Sequence, residues 1–226
     1  MAIITGGLHG QAKKRVGNVV YRKWRNLDVA AKYQPNVSNP RTEQQQLIRT
    51  RFGAASDLAG KLGAALVLGF KAFVAGTKVP PKSFFIKKNW LFINSVTPGT
   101  ATIDYSDLAL SDGPIAAPAF GTISTSDPLT IKVDLTDNSS QTVADSDFVY
   151  MVVYCPELGQ TILSNAVTRA DGDVTVIVPS SWNGCRVHCY GFATWGGEVL
   201  SVQGIPVTHN LGDASPTVYI GTADIS

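Results

Sequence analysis

The sequence predicts an α+β fold: a basic N-terminal arm containing a hairpin, a long helix followed by a short one, and then an antiparallel, immunoglobulin-like β-sandwich. Three observations carry this expectation. Apolar residues recur every three or four positions between about residues 41 and 75, the period of a helix face. From residue 95 onward, short apolar runs are separated by Gly, Pro, Asn and Asp, the rhythm of strands and turns. Charge divides near the same boundary: residues 1–90 hold 16 Lys/Arg and three acids, residues 91–226 hold three and 14. The organisation read from this is an arm over 1–37, a helical region over 38–94 and a sandwich domain with lead-in strands over 95–226.

In the arm, Val16–Tyr21 (V-G-N-V-V-Y) reads as a strand, Asn26-Leu27-Asp28 as a turn and Val29–Tyr33 as the return strand. A lone two-stranded hairpin buries too little surface to stand by itself, so this one calls for a further partner.

The long helix has two readings of its start. Asn39 caps and Pro40 takes the first helical position, or Thr42 forms a capping box with Gln45. Ile48, Phe52, Ala55, Ala59, Leu62, Leu66, Phe70 and Phe73 then make one apolar stripe. Gly53, Gly60, Gly63 and Gly69 each cost about 1 kcal/mol against Ala in an exposed helix. Four of them point to close helix packing or to a break near Gly60–Gly63. Gly76 and Pro80-Pro81 end the helix. Lys82–Ile93 fits a short helix opened by Pro81, favoured here, or an aromatic-rich strand.

Thr100–Tyr105 and Leu129–Leu135 alternate, as half-buried strands do, and Phe148–Cys155 is apolar nearly throughout, as a central strand is. Thr161–Ser164, Val174–Val178, Arg186–Trp195, Glu198–Val202 and Thr217–Ile220 complete a sandwich of about seven strands over residues 115–222, with Pro114–Ala119 as a lead-in strand.

Composition removes several classes. An apolar content of 44% excludes general disorder. Three cysteines make no disulfide framework and suit a reducing compartment. Leu62–Ala75 is shorter than a membrane span and contains Lys71, so no span is expected. The start lacks the pattern of a signal peptide, which implies synthesis in the cytoplasm.

No constellation announces catalysis. Cys185 and Cys189, four apart on a strand, sit about 13 Å from each other, and His188 between them points to the opposite face. A shared zinc site is therefore not expected, and buried reduced thiols are. The sequence holds no G-x-S-x-G elbow, no phosphate loop and no twelve-residue calcium loop. The reading is of a protein that is not an enzyme, with no catalytic residues, no metal and no cofactor.

The arm is the candidate site. Lys13, Lys14, Arg15, Arg22, Lys23, Arg25 and Lys32 fall within 20 residues, with Tyr21 and Trp24 among them and Tyr33 beside them. Cations plus stacking aromatics suit nucleic-acid phosphates and bases. They equally suit an acidic protein surface, and the chain supplies one in its own second half. Protein partners are favoured, because no nucleic-acid recognition motif accompanies the arm.

The run G-G-L-H-G-Q-A-K-K-R-V-G-N-V-V-Y-R-K-W-R (Gly6–Arg25), with N-P-R-T-E-Q-Q (Asn39–Gln45), S-D-G-P-I-A-A-P (Ser111–Pro118), D-L-T-D-N-S (Asp134–Ser139), V-V-Y-C-P-E (Val152–Glu157) and V-H-C-Y-G-F (Val187–Phe192), resembles a family of uncharacterised Bacteroidota proteins known only as a domain of unknown function. The N-P-R-T-x-x-Q element after a W-R segment also resembles small phage virion proteins, which implies a particle-building role. The function expected is structural self-assembly as a phage or prophage virion component. The basic arm of one copy would meet the acidic sandwich of the next, in a homo-oligomer with other particle proteins. The alternatives are a nucleic-acid-binding protein acting through residues 1–37, and a surface or extracellular immunoglobulin-like binding protein.

Overall fold

Gly17, at φ 58°, and Asn18 form a two-residue turn, so the V-G-N-V-V-Y run is not one strand but a hairpin in itself. The computed structural model describes residues 2–3, 14–24, 27–36, 39–136, 143–197, 200–202, 205–207, 209–210 and 212–225. The first of its two compact units, Met1–Thr42, contains β1 (Ala2–Ile3), β2 (Lys14–Val16), β3 (Val19–Trp24) and β4 (Leu27–Lys32). They form an antiparallel sheet in the order β1-β4-β3-β2. The expected hairpin thus gains a strand on either side, which answers its shortage of partners. Leu27 and Asp28, expected in a turn, open β4 opposite Trp24 and Lys23.

The second unit is Glu43–Ser226. Its first helical residue is Glu43, so Thr42 directly precedes the helix while Asn39 and Pro40 lie further upstream; Pro40 does not hold the first helical position. The stripe predicted as one helix is three: α1 (Glu43–Lys61), α2 (Gly63–Gly69) and α3 (Lys71–Val74). The first break falls at Leu62, beside Gly63, where the glycines placed it. Along the stripe, Ala55, Ala59, Leu62, Leu66 and Phe70 are buried. Ile48, Phe52 and Phe73 are exposed instead, at 57%, 53% and 37%, because periodicity records a face and not where the covering layer stops. Gly53 and Gly63 meet no neighbouring side chain, so they do not serve helix packing within the chain.

Helix α4 (Pro81–Lys88) has Pro81 at its start, as expected, and ends at Asn89. Asn89 is fully buried. Its side-chain amide donates to the carbonyls of Phe85 (3.0 Å) and Ala109 (2.8 Å), and its Oδ1 accepts from the Ala109 N–H (2.7 Å). That amide locks the helix end onto the segment leading into the sheets. No described helix is long and apolar enough to cross a membrane.

After a 3₁₀ turn, β5 (Ile93–Thr97) and β6 (Thr100–Ile103) pair as a hairpin. The remaining strands are β7 (Ala119–Ser124), β8 (Thr130–Thr136), β9 (Phe148–Cys155), β10 (Gln160–Leu163), β11 (Val167–Thr168), β12 (Asp173–Ile177), β13 (Arg186–Thr194), β14 (Leu200–Val202), β15 (Ile205–Val207) and β16 (Val218–Asp224). Pro114–Pro118 is not a strand; β7 begins at Ala119. Strands β10-β9-β13-β16, with β11 also on β9, form a five-stranded sheet, and β12-β8-β7 a three-stranded one.

The two sheets face each other in a sandwich-like pair. Ile131, Val133, Val174 and Val176 of the smaller sheet pack with Met151, Val153, Cys155, Val187 and Cys189 of the larger. The other face of the larger sheet is covered by helices: Val152, Tyr154, Tyr190 and Phe192 pack with Leu58, Leu62, Leu66, Phe70 and Phe85. Burial on both faces is why β9 reads as apolar throughout. The helices and these sheets therefore share one unit.

Candidate site on the basic arm sheet

Strand parity decides what the arm can present. Cross-strand partners share a face, and faces alternate along each strand. Lys14 lies opposite Tyr21 and Ala30, Val16 opposite Val19 and Lys32, and Lys23 opposite Asp28. One face therefore carries Lys14, Tyr21, Lys23 and Lys32. Arg15 lies opposite Val20 and Ala31, and Arg22 opposite Val29, so both arginines fall on the other face. The sequence had placed all of these cations in one cluster. The sheet separates lysines from arginines.

On the lysine face, Tyr21 has Lys14 across from it and Lys23 two residues further along its own strand. Lys14, Lys23 and Lys32 are exposed and Tyr21 is half-buried. On the arginine face, the Arg15 guanidinium lies 3.7 Å from the Tyr33 ring centroid, a cation–π contact. Its Nε also donates to the Gly17 carbonyl (2.8 Å). The Tyr33 N–H donates to the Asn18 carbonyl (2.7 Å), which fixes the ring beyond the end of β4. Tyr33 thus joins Arg15 on this face of the candidate site, and the parity it shares with Arg15 across the sheet is the sequence signal for that. Lys13 and Arg25 lie outside the described residues, as does the side chain of Trp24.

Charge follows the two units. Residues 1–42 carry eight Lys/Arg against Asp28 alone, and residues 43–226 carry eleven against sixteen acids. Within the second unit, residues 43–90, which hold the helices, contain eight of those eleven. The acids are concentrated among the strands. On the outer face of the smaller sheet, Asp134 stands directly opposite Asp173, with Lys132 Nζ 3.6 Å from Asp173.

The cysteines and His188 part as parity required. Cys155, Cys185 and Cys189 are free, buried and turned into the core between the sheets. His188 lies on the opposite side of β13. Its ring stacks on Tyr105 with centroids 4.5 Å apart, and its Nδ1 is 2.9 Å from the Tyr219 hydroxyl. Burial, and secondarily the charge of Arg186, lowers its pKa. Among the described residues, no group of three or more His, Cys, Asp or Glu is placed to hold a metal ion.

Residues 10–203 match the model of DUF6266, a family of unknown function, and the chain belongs to that family. No curated protein and no solved structure matches it.

Proposed function

We propose that this member of DUF6266 is a structural self-assembly protein, a component of a phage or prophage particle, made in the cytoplasm and incorporated into that particle. The resemblance to Bacteroidota proteins and to small virion proteins supports this setting. The observation that carries the reading is the segregation of charge by unit: a small first unit with eight cations and one acid, followed by a larger unit with an excess of acids. In a population of identical chains, such a division favours contacts in which the basic sheet of one copy meets the acidic strands of another. Contacts of that kind are heterologous and propagate into rings or filaments.

The test is electron microscopy and light scattering of the full chain from about 50 mM to 1 M NaCl, beside a variant with Lys14, Arg15, Arg22 and Lys23 changed to Glu. Assemblies that dissolve with salt and are missing from the variant support the reading. An unchanged assembly state in the variant overturns it.

The lysine face, with Tyr21 flanked by Lys14 and Lys23, favours nucleic acid as the second reading. Binding of single- or double-stranded DNA, weakening steeply with salt and lost in Tyr21→Ala with Lys14→Ala and Lys23→Ala, would select it.

A further inference from the structure

We propose that β12 is a dimerisation edge, pairing antiparallel with β12 of a second copy so that two three-stranded sheets become one of six strands. This contact is separate from the arm contact proposed above and does not depend on it.

Strand β12 keeps five consecutive pairs with β8 and no register shift. Its ladder has a defined polarity. The Leu135 N–H donates to the Gly172 carbonyl and the Val178 N–H to the Leu129 carbonyl, both at 2.8 Å. Even-numbered positions of β12 therefore bond to β8. Asp173, Thr175 and Ile177 turn their N–H and C=O groups to the outer edge. Among the described residues no strand pairs with that edge.

Free edges are ordinarily guarded by charged side chains, above all Lys, or by Pro, a bulge or a covering element. The D-V-T-V-I sequence of β12 carries one charge, Asp173 at its start, and from Val174 to Ile177 it has no charge, no Pro and a regular register. Ile177 is 75% exposed on it, an apolar side chain at the end of the open edge that pairing with a second copy would cover. Beside the edge runs a groove of about 360 Å³ between β12 and β10, lined by Ile162, Leu163 and Asn165 on one side and Thr175 and Ile177 on the other.

The edge is complementary to itself. A two-fold axis through Thr175 places Thr175 opposite Thr175 of the second copy and Asp173 opposite Ile177 of the second copy. Three residue pairs then exchange hydrogen bonds, and the central Thr–Thr pair is a favourable one. The two Asp173 carboxylates end up about 13 Å apart along the strands, beyond the screening length at physiological salt. Parallel addition would set them side by side. The arm's outer strand β2 is a poorer occupant: it spans three residues, and Lys14 and Arg15 on it are the charges that guard an edge.

Sedimentation velocity of the full chain at 0.15 and 1 M NaCl tests the pairing. The expected result is a dimer at 1 M NaCl, where arm contacts are screened, and the same dimer, alone or within larger assemblies, at 0.15 M, with its dissociation constant raised at least 100-fold in Thr175→Pro and in Ile177→Lys. Proline at 175 removes only an outward N–H and leaves the β8 ladder intact. Should that variant lose its circular dichroism signature, Ile177→Lys decides, because its side chain is already in solvent. A monomeric wild type at 100 µM overturns the proposal, as does a dimer that survives in folded variants. Arm charge reversal is scored separately: assembly lost with the dimer retained supports both contacts, and assembly unchanged removes only the arm reading.

Discussion

Arg169 and Asp147 form an ion pair in which the two side chains are only 4% and 5% exposed, with Nε 3.4 Å from Oδ2. The same guanidinium donates through Nη2 to the Ala116 carbonyl, and Asp147 Oδ1 accepts from the Gly196 N–H (3.2 Å). Four chain segments thus meet on one buried pair. Burial lowers the Arg169 pKa and Asp147 pulls it back. Removing one partner strands a buried charge, so Asp147→Ala should cost about 3–5 kcal/mol in urea unfolding. The double variant Arg169→Met with Asp147→Leu should recover much of that loss. Equal losses in the single and double variants would contradict the pairing.

Two glycines of the helical region should respond in opposite directions to alanine. A Cβ on Gly69 would stand 2.4 Å from the Leu110 carbonyl oxygen and 2.7 Å from Ser111 Cβ, and the backbone there is tied by the Asp112 N–H donating to the Gly69 carbonyl. Gly69→Ala should destabilise by about 1–3 kcal/mol through overpacking. A Cβ on Gly53 meets nothing within 4 Å, and the position is mid-helix. Gly53→Ala should therefore stabilise by roughly 0.5–1 kcal/mol. Denaturant midpoints of the two variants read this contrast directly.

What the sequence could and could not show follows from what each element faces. Strand β8 was legible because Ile131 and Val133 enter the core while Lys132 and Asp134 face outward. Strand β9 was legible because both faces are covered. Strand β7, by contrast, has a register shift between Phe120 and Ile123 and a glycine within it, which erases the alternation. The basic character of the arm was plain from composition. Its division into a lysine face and an arginine face depends on register, which the Gly17-Asn18 turn sets. The Arg169–Asp147 pair joins residues 22 apart in sequence and leaves no local pattern to read.

The cysteine thiols should be silent in the folded chain. All three are buried, and burial raises the Cys189 pKa to about 12 and, together with contact to Cys155, that of Cys185 to about 11. Thiolates are the reactive form, so neither Cys185 nor Cys189 supplies one at pH 8. A maleimide or disulfide reagent should label no thiol within minutes in native buffer and three in urea. Rapid labelling of the native protein would show that the inter-sheet core opens far more often than its packing implies.

His188 makes stability depend on pH in a defined direction. Its pKa is lowered in the fold, first by burial and then by Arg186, because the ring is pressed between Tyr105 and the Tyr219 hydroxyl. The unfolded chain, with an ordinary imidazole near 6.5, therefore binds a proton that the native state resists. Above that pH both states are neutral and His188 contributes no slope. As pH falls below it, the unfolded state gains protons first and stability declines, until the folded-state pKa is passed and the loss levels off. Urea midpoints between pH 7.5 and 5 should fall in the wild type and flatten in His188→Gln, which keeps a polar group beside Tyr219 without the titration. An equal decline in both proteins would assign the pH dependence to other groups.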